Sequence, residues 1–226
     1  MGLRPHNLVK GEYYHIYNRG NGKQKIFLDR EDYDRFKKLL YVSNSENSFN
    51  FRDSIVDIGI DAYDFERGET LVSILAWTLM PNHFHIFLIS PRADLGEDKE
   101  LDKTITDYMR KVSTAYAMYF NKKYERTGSL FEGKFKSKHV GIENYFRYLF
   151  AYIHLNCIKL VQSDWKESGI KNVKIALKYL EEYKHSSFQD YFGLIRKESK
   201  IIDKKAIPED IKNSHVEELF DWIRLG

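Results

Sequence analysis

The order of apolar patterns along this 226-residue chain predicts an α+β fold, with helices packed against an antiparallel sheet. Three observations carry that expectation. A segment near the start is dense in aromatic and β-branched residues and ends at a glycine-rich turn. Two strongly apolar runs flank Met80-Pro81-Asn82, as in a hairpin. Long stretches before and after a glycine-broken basic segment keep the period of helices.

Taken in order, Gly11 to Asn18 (GEYYHIYN) reads as a strand that stops at Arg19-Gly20-Asn21-Gly22. Asp29 is placed to cap a helix whose Tyr33, Phe36, Leu39 and Leu40 share one face. Residues 43–70 open with the polar SNSENSFN, show no clear period and read as an insertion. Leu71 to Leu79 and His83 to Ser90 form the expected hairpin around a Pro-Asn turn. From Leu101, apolar residues at 101, 105, 108, 109, 112, 116 and 119 keep a helical period. Phe135 to Val140 suits another strand, and positions 142, 145, 146, 149, 152, 153, 156 and 160 mark a further helix. Val173 to Tyr183 and Val216 to Ile223 complete the helices. With no internal repeat, one domain over 1–185 and a helical extension over 186–226 is the economical division.

Composition narrows the class. Lys+Arg 36 against Asp+Glu 33 leaves a charge of +3, too ordinary to require a polyanionic partner. An aromatic content of 15%, with 16 tyrosines, is foreign to disordered chains. No apolar run reaches the ~18 residues of a membrane helix. The start lacks the apolar core of a signal peptide, and His6 stands where a myristoylation signal needs Ser or Thr. A soluble, cytoplasmic protein is expected. Cys157, the sole cysteine, excludes an intrachain disulfide and a cysteine-rich zinc site.

Within this frame, three constellations can carry chemistry. His83 and His85 sit two apart on an apolar strand, so both imidazoles point to one face and can reach one metal ion, while Phe84 turns to the other. The bland alternative is one buried, hydrogen-bonded histidine beside an incidental one. Tyr152 and Asn156 lie four apart on a helix, one turn from each other. Tyr152 alone reads as a core aromatic, but a buried amide at Asn156 needs partners and offers an oxygen ligand. His154 lies on another side of that helix. Finally, Arg110 to His139 holds eight basic residues against Glu125 and Glu132, a local +6 that leaves −3 for the rest of the chain. Tyr116, Tyr119, Tyr124, Phe131 and Phe135 are interleaved there, a pattern suited to stacking bases while cations follow phosphates, or simply to solvated surface.

Together these residues resemble the single-tyrosine HUH transposases, and among them the REP-associated tyrosine transposases of bacterial chromosomes. The matching segments are YYHIYNRGN and KIFLDREDYDRF near the start, LMPNHFHIFL around the histidines, YFNKKYERTGSLFEGKFKS in the basic region and YFRYLFAYIHLN on the helix. They run in the family's order over roughly 11–161, with a weaker echo at His185-Ser186-Ser187. The resemblance implies that His83, His85 and Asn156 bind a divalent metal, Mg²⁺ or Mn²⁺, and that Tyr152 is the nucleophile. It implies a ferredoxin- or RRM-like sheet with the histidine strand central and the tyrosine helix facing it. It also implies cleavage of single-stranded, hairpin-bearing DNA through a 5′-phosphotyrosine bond, in a bacterial, nucleoid-associated protein that is a monomer or homodimer. Asn18, Arg19, Arg126, Lys134, Lys136 and Lys138 are the expected DNA contacts. The chain departs from the family at Cys157, where proline is common, at Phe131-Glu132-Gly133-Lys134, where Trp-x-Gly-Arg is usual, and in the length of 43–70.

A phenol of ordinary pKa near 10 is a weak nucleophile at neutral pH, so an expected metal would activate the phosphate instead. Transesterification needs no nucleotide, consistent with the lack of a phosphate-binding GxxxxGK[ST] loop. Other readings are a domesticated, non-catalytic single-strand-binding protein and a replication initiator or relaxase with its nucleophile at Tyr13, Tyr14 or Tyr17. A zinc hydrolase is disfavoured because no Asp or Glu adjoins the histidines.

Overall fold

The computed structural model describes residues 8–90, 103–141, 143–193 and 195–225. Strands β1 (Tyr13–Arg19), β2 (Ser73–Met80), β3 (His83–Ile89) and β4 (Lys136–Val140) form one antiparallel sheet ordered β2-β3-β1-β4. Helix α1 (Arg30–Val42) follows β1, α2 (Thr104–Lys123) joins β3 to β4, and α3 (Glu143–Leu155) follows β4. The order and the α+β class are those the sequence predicts, and the histidine strand β3 is one of the two inner strands. Beyond α3 come α4 (Trp165–Ser168), α5 (Val173–Glu182), α6 (Phe188–Phe192), α7 (Glu209–Lys212) and α8 (Val216–Trp222).

Strand alternation sorts the residues into three layers. Phe84 meets Phe36 of α1 with ring centroids 5.0 Å apart, and Tyr116 of α2 lies 4.9 Å from Phe36. On the opposite face Phe87 meets Phe146 of α3 at 4.6 Å, and Tyr13 meets the same ring at 5.1 Å. Helices α1 and α2 therefore cover one face and α3 the other. Each of the fully buried rings, Phe36, Phe84, Phe87 and Tyr116, stabilises the fold by roughly 2–3 kcal/mol.

The α1–α2 layer is locked by one carboxylate. Asp29 and Asp32 form a reciprocal cap at the start of α1. Asp32 is fully buried and accepts from the Tyr124 hydroxyl at 2.8 Å, from Tyr119 at 3.1 Å and from Lys123 at 3.0 Å. The carboxylate-bearing N-terminus of α1 thus meets the lysine-bearing C-terminus of α2, each charge placed where its own helix dipole favours it.

One sequence expectation changes. The periodic stretch expected to stay helical to residue 160 leaves the α-helix at Leu155, and Asn156–Leu160 is a 3₁₀ segment. Asn156, Cys157 and Ile158 are all buried there, in the tighter turn with which α-helices commonly end. Residues 43–70, read from the sequence as an insertion, are tied into the core. Asn44 exchanges two hydrogen bonds with the Val72 backbone at 2.8 and 3.0 Å, and Ile55, Ala62 and Tyr63 are buried. Short turns that each bury one or two residues leave no period to read. Leu101 and Ile142, assigned to helical stripes from the sequence, lie outside the described residues, as does the chain before Leu8.

The segment after 185 closes the outside of the sheet. Leu79 N–H donates to His185 C=O and Ser187 N–H to Trp77 C=O, both at 2.8 Å, and Asp203 N–H donates to Ile74 C=O at 2.9 Å. Trp222 of α8 reaches Phe150 of α3, ring centroids 6.3 Å apart. Among the described residues no helix is long and apolar enough to cross a membrane.

Candidate active site on the histidine face of the sheet

The register of the sheet assembles the site. β1 sets Tyr17 opposite His85 and Arg19 opposite His83, and β4 sets Lys136 beside Tyr17 and Lys138 beside His15. All of these side chains share the face covered by α3. The loop after β1 is clamped to the hairpin turn by Gly20 N–H to Asn82 C=O at 2.9 Å and Ile26 N–H to Pro81 C=O at 2.8 Å. Only glycine fits at position 20, where a Cβ would stand 2.2 Å from the Gln24 carbonyl oxygen. A cleft of about 680 Å³ opens between this rim and α3, with His83, His85, Tyr17 and Tyr152 among its walls.

Both histidines are oriented by a second partner. His83 Nδ1 lies 2.7 Å from Asn82 Oδ1, and His85 Nδ1 lies 2.8 Å from His15 Nε2. An amide oxygen can only accept, so His83 carries its proton on Nδ1, and Nε2 is left with a free lone pair. If His85 is protonated on Nδ1 toward His15, its Nε2 is free in the same way. Burial holds all three imidazoles neutral: His15 is lowered to about 3, His83 to about 4, and His85 well below the usual value. Nearby cations add to this, Lys138 and Lys166 at His15, Lys159, Lys166 and Arg19 at His83.

From α3, the Tyr152 ring stands edge-on to His85 at 5.5 Å and to His15 at 6.2 Å. Burial raises its hydroxyl pKa, while the Asn156 amide and Lys159 pull it down. Lys166 of α4 donates to the Tyr152 hydroxyl at 2.9 Å and lies 4.1 Å from the ring centre. The Asn156 amide acts electrostatically on both His83 and Tyr152, yet its buried Oδ1 has no hydrogen-bond partner. With His85 in that tautomer, two free imidazole nitrogens and one orphaned amide oxygen are a donor set for a divalent cation. Among the described residues no three His, Cys, Asp or Glu side chains gather as a metal cluster, so the amide would have to supply the third ligand.

The cleft is positive throughout. Arg19, Lys23, Lys25, Lys136 and Lys159 line it, and among the described residues no carboxylate does. The expected DNA contacts divide accordingly. Arg19 and Lys136 line the cleft, with Arg19 also paired to Glu132 outside it. Lys138 lies over the Tyr145 ring at 4.1 Å, on the same face. Asn18 reaches the wall, but its amide is engaged with Gly133 C=O at 3.2 Å and Arg19 N–H at 2.9 Å. Arg126 bonds Gln24 at 3.1 Å and, like Lys134, is absent from the lining.

The aromatic half of the basic-segment reading is corrected. Tyr116, Phe131 and Phe135 are buried in the core, and Tyr119 and Tyr124 bond Asp32. Of the three early tyrosines, Tyr14 is buried and Tyr13 packs on Phe87, whereas Tyr17 faces the cleft with its ring 6.0 Å from His85. His154 is fully buried and bonds Ser187 Oγ at 2.8 Å, away from the site. Sequence reasoning missed His15, Lys23, Lys25, Lys159 and Lys166. His15 alone left a signal, because it alternates with Tyr13 and Tyr17, but its meeting with His85 depends on which strands pair.

Compared with known proteins, the chain matches no family model and no curated protein. Among solved structures it aligns with a REP-associated tyrosine transposase bound to a REP hairpin. That alignment has 13% identity and a TM-score of 0.47 over 84% of each chain. A protein from Deinococcus radiodurans R1, provisionally described as a transposase, aligns at 16% identity and TM-score 0.33, over 68% of this chain and 95% of its own. A bacterial tRNA(His) guanylyltransferase-like protein in complex with GTP aligns at 11% identity and TM-score 0.40, over 70% of each. Nothing about activity follows from likenesses this distant.

Proposed function

We propose that this chain is a tyrosine transposase of the single-tyrosine HUH type, cleaving and rejoining single-stranded DNA through Tyr152. One juxtaposition carries the reading. A phenol and two oriented neutral imidazoles line a cleft with five cations and, among the described residues, no acid, and the Asn156 amide acting on both Tyr152 and His83 has an oxygen without a geometric hydrogen-bond partner. That cleft suits a polyanion, and the phenol suits a covalent phosphoester.

The donor set fits Mg²⁺ or Mn²⁺ held by His83, His85 and Asn156, and what such a cation supplies when bound is polarisation of the scissile phosphate. His15 and Asn82 fix the imidazole orientations. Arg19, Lys136 and Lys159 hold the flanking phosphates. Tyr152 Oη attacks phosphorus as the P–O3′ bond breaks, leaving a 5′-phosphotyrosine and a 3′-oxygen that takes up a proton to become the 3′-hydroxyl. Lys166 donates to Oη, and the Asn156 amide and Lys159 act against the rise that burial imposes on the phenol, favouring the phenolate as its proton leaves to solvent. The ester is exchanged rather than hydrolysed, so rejoining to another 3′-hydroxyl needs no nucleotide. The hairpin in the substrate follows from the motif resemblance.

A second reading has its own observation: Tyr17 lines the same cleft, where a relaxase-like nucleophile would stand. Labelled hairpin-bearing single strands incubated with protein and Mn²⁺ separate the two. A denaturant-resistant adduct should form with wild type and with Tyr17→Phe, and disappear with Tyr152→Phe. An adduct that survives Tyr152→Phe and is lost in Tyr17→Phe sinks the Tyr152 assignment.

A further inference from the structure

A second cavity, of about 430 Å³, lies across Tyr152 from the metal-ligand cleft, and Tyr152 lines both. Its walls are Tyr148, Trp165 and Phe220, with Lys166 and Arg224 among them. Tyr148 runs nearly parallel to Tyr152, ring centroids 6.0 Å apart and planes 18° from each other. The carboxylates acting on these cations are weakly placed. Asp221 stands 3.4 Å from Arg224, with both side chains well exposed, and Glu167 acts on Lys166.

We propose that this cavity is a nucleotide subsite, taking the unpaired base on one side of the phosphate that Tyr152 attacks. The inference rests on the proposed function and deepens it. A strand whose backbone phosphate meets the Tyr152 hydroxyl must leave that point in two directions. The histidine cleft receives one of them. The aromatic cavity on the other flank of Tyr152 receives the other, with its base against Tyr148 and Phe220 and its phosphate near Lys166 and Arg224. Such stacking accepts any base, because every base offers a π-face. The geometry also gives the segment after α7 (Glu209–Lys212) a part in substrate binding: Phe220 belongs to α8, and Arg224 to the 3₁₀ turn Ile223–Leu225 after it.

The test uses the full chain carrying Tyr152→Phe, which retains the aromatic wall without forming an adduct. Its affinity for fluorescein-labelled oligo(dT) is measured by anisotropy, and contacts are mapped by photocrosslinking 4-thiothymidine placed at each position in turn. Crosslinks should fall on the Tyr148 and Phe220 peptides from one or two adjacent positions. Adding Phe220→Ala should weaken binding about five-fold or more, the lower end of base–aromatic stacking. Tyr148→Leu, on the half-buried face of α3, should do the same with unchanged thermal unfolding, guarding against a folding defect in the first variant. Crosslinks confined to Tyr17 and the histidine cleft, with full affinity in both variants, would overturn the subsite while leaving the transposase reading intact. No binding of single strands by the parent protein would overturn that reading itself, and the subsite with it.

Discussion

The two faces of the sheet are built from the same strands and to opposite purposes. On the α1–α2 face, Phe84, Phe36 and Tyr116 pack ring against ring, and the charges at its margin are matched: Asp32 is buried with Lys123, Tyr119 and Tyr124 upon it. On the α3 face, His15, His85 and Asn156 are buried and His83 is half-buried, no carboxylate of the described residues lines the cleft beside its lysines, and one amide oxygen is left without a partner. Polar groups buried without full pairing cost free energy. A fold carries that cost where the groups have a task. The first face is closed by its own packing, and the second leaves the Asn156 oxygen open, as the proposed metal-binding role requires.

Neighbouring residues on β3 offer the sharpest way to break this comparison. Phe84→Ala should destabilise the protein by about 3–5 kcal/mol in denaturant unfolding, the usual cost of emptying a buried ring site. His83→Ala should leave unfolding within about 1 kcal/mol of wild type, yet abolish Mn²⁺-dependent cleavage. A large loss of stability from His83→Ala with cleavage retained would make the histidine face structural as well.

A smaller effect is expected with pH. His154 and His83, lowered to about 3 and about 4 by burial, are neutral in the fold but take protons near pH 6.5 in the unfolded chain. Between those values the unfolded state binds more protons, so stability is full above about 6.5 and falls as pH drops toward 3–4. Thermal unfolding at a series of pH values should show this acid slope, and His154→Phe should flatten it; an unchanged slope would place the sensitivity elsewhere.

The smallest effect concerns charge. Lys136→Gln should weaken single-strand binding modestly and lower the dependence of log K on log salt by about 0.7, one phosphate contact on a single strand. An unaltered salt slope would remove Lys136 from the nucleic-acid path.

The sequence was most legible where function is local. His83 and His85 share a strand face and Tyr152 and Asn156 are one helical turn apart, so spacing alone grouped each pair, and Asp29 announced the start of α1. Long-range facts were not legible. His15 reaches His85 across 70 positions because β1 pairs with β3, and Lys166 reaches Tyr152 from a separate short helix. The basic Arg110–His139 segment misled for the same reason. Lys123 is held by Asp29, Glu31 and Asp32, and Lys111 bonds the Ser45 carbonyl at 2.6 Å. The cations that gather in space, Lys23, Lys25, Lys136 and Lys159, come from three distant stretches of chain.

The central claim is that Tyr152 carries the DNA. Trapping the denaturant-resistant adduct from wild-type protein, digesting both components and mapping the phosphonucleotide-bearing peptide by mass spectrometry addresses it directly. The modification should sit on Tyr152, in the peptide containing YFRYLFAYIHLN. A nucleotide found on Tyr17, or on no tyrosine of this cleft, would contradict it.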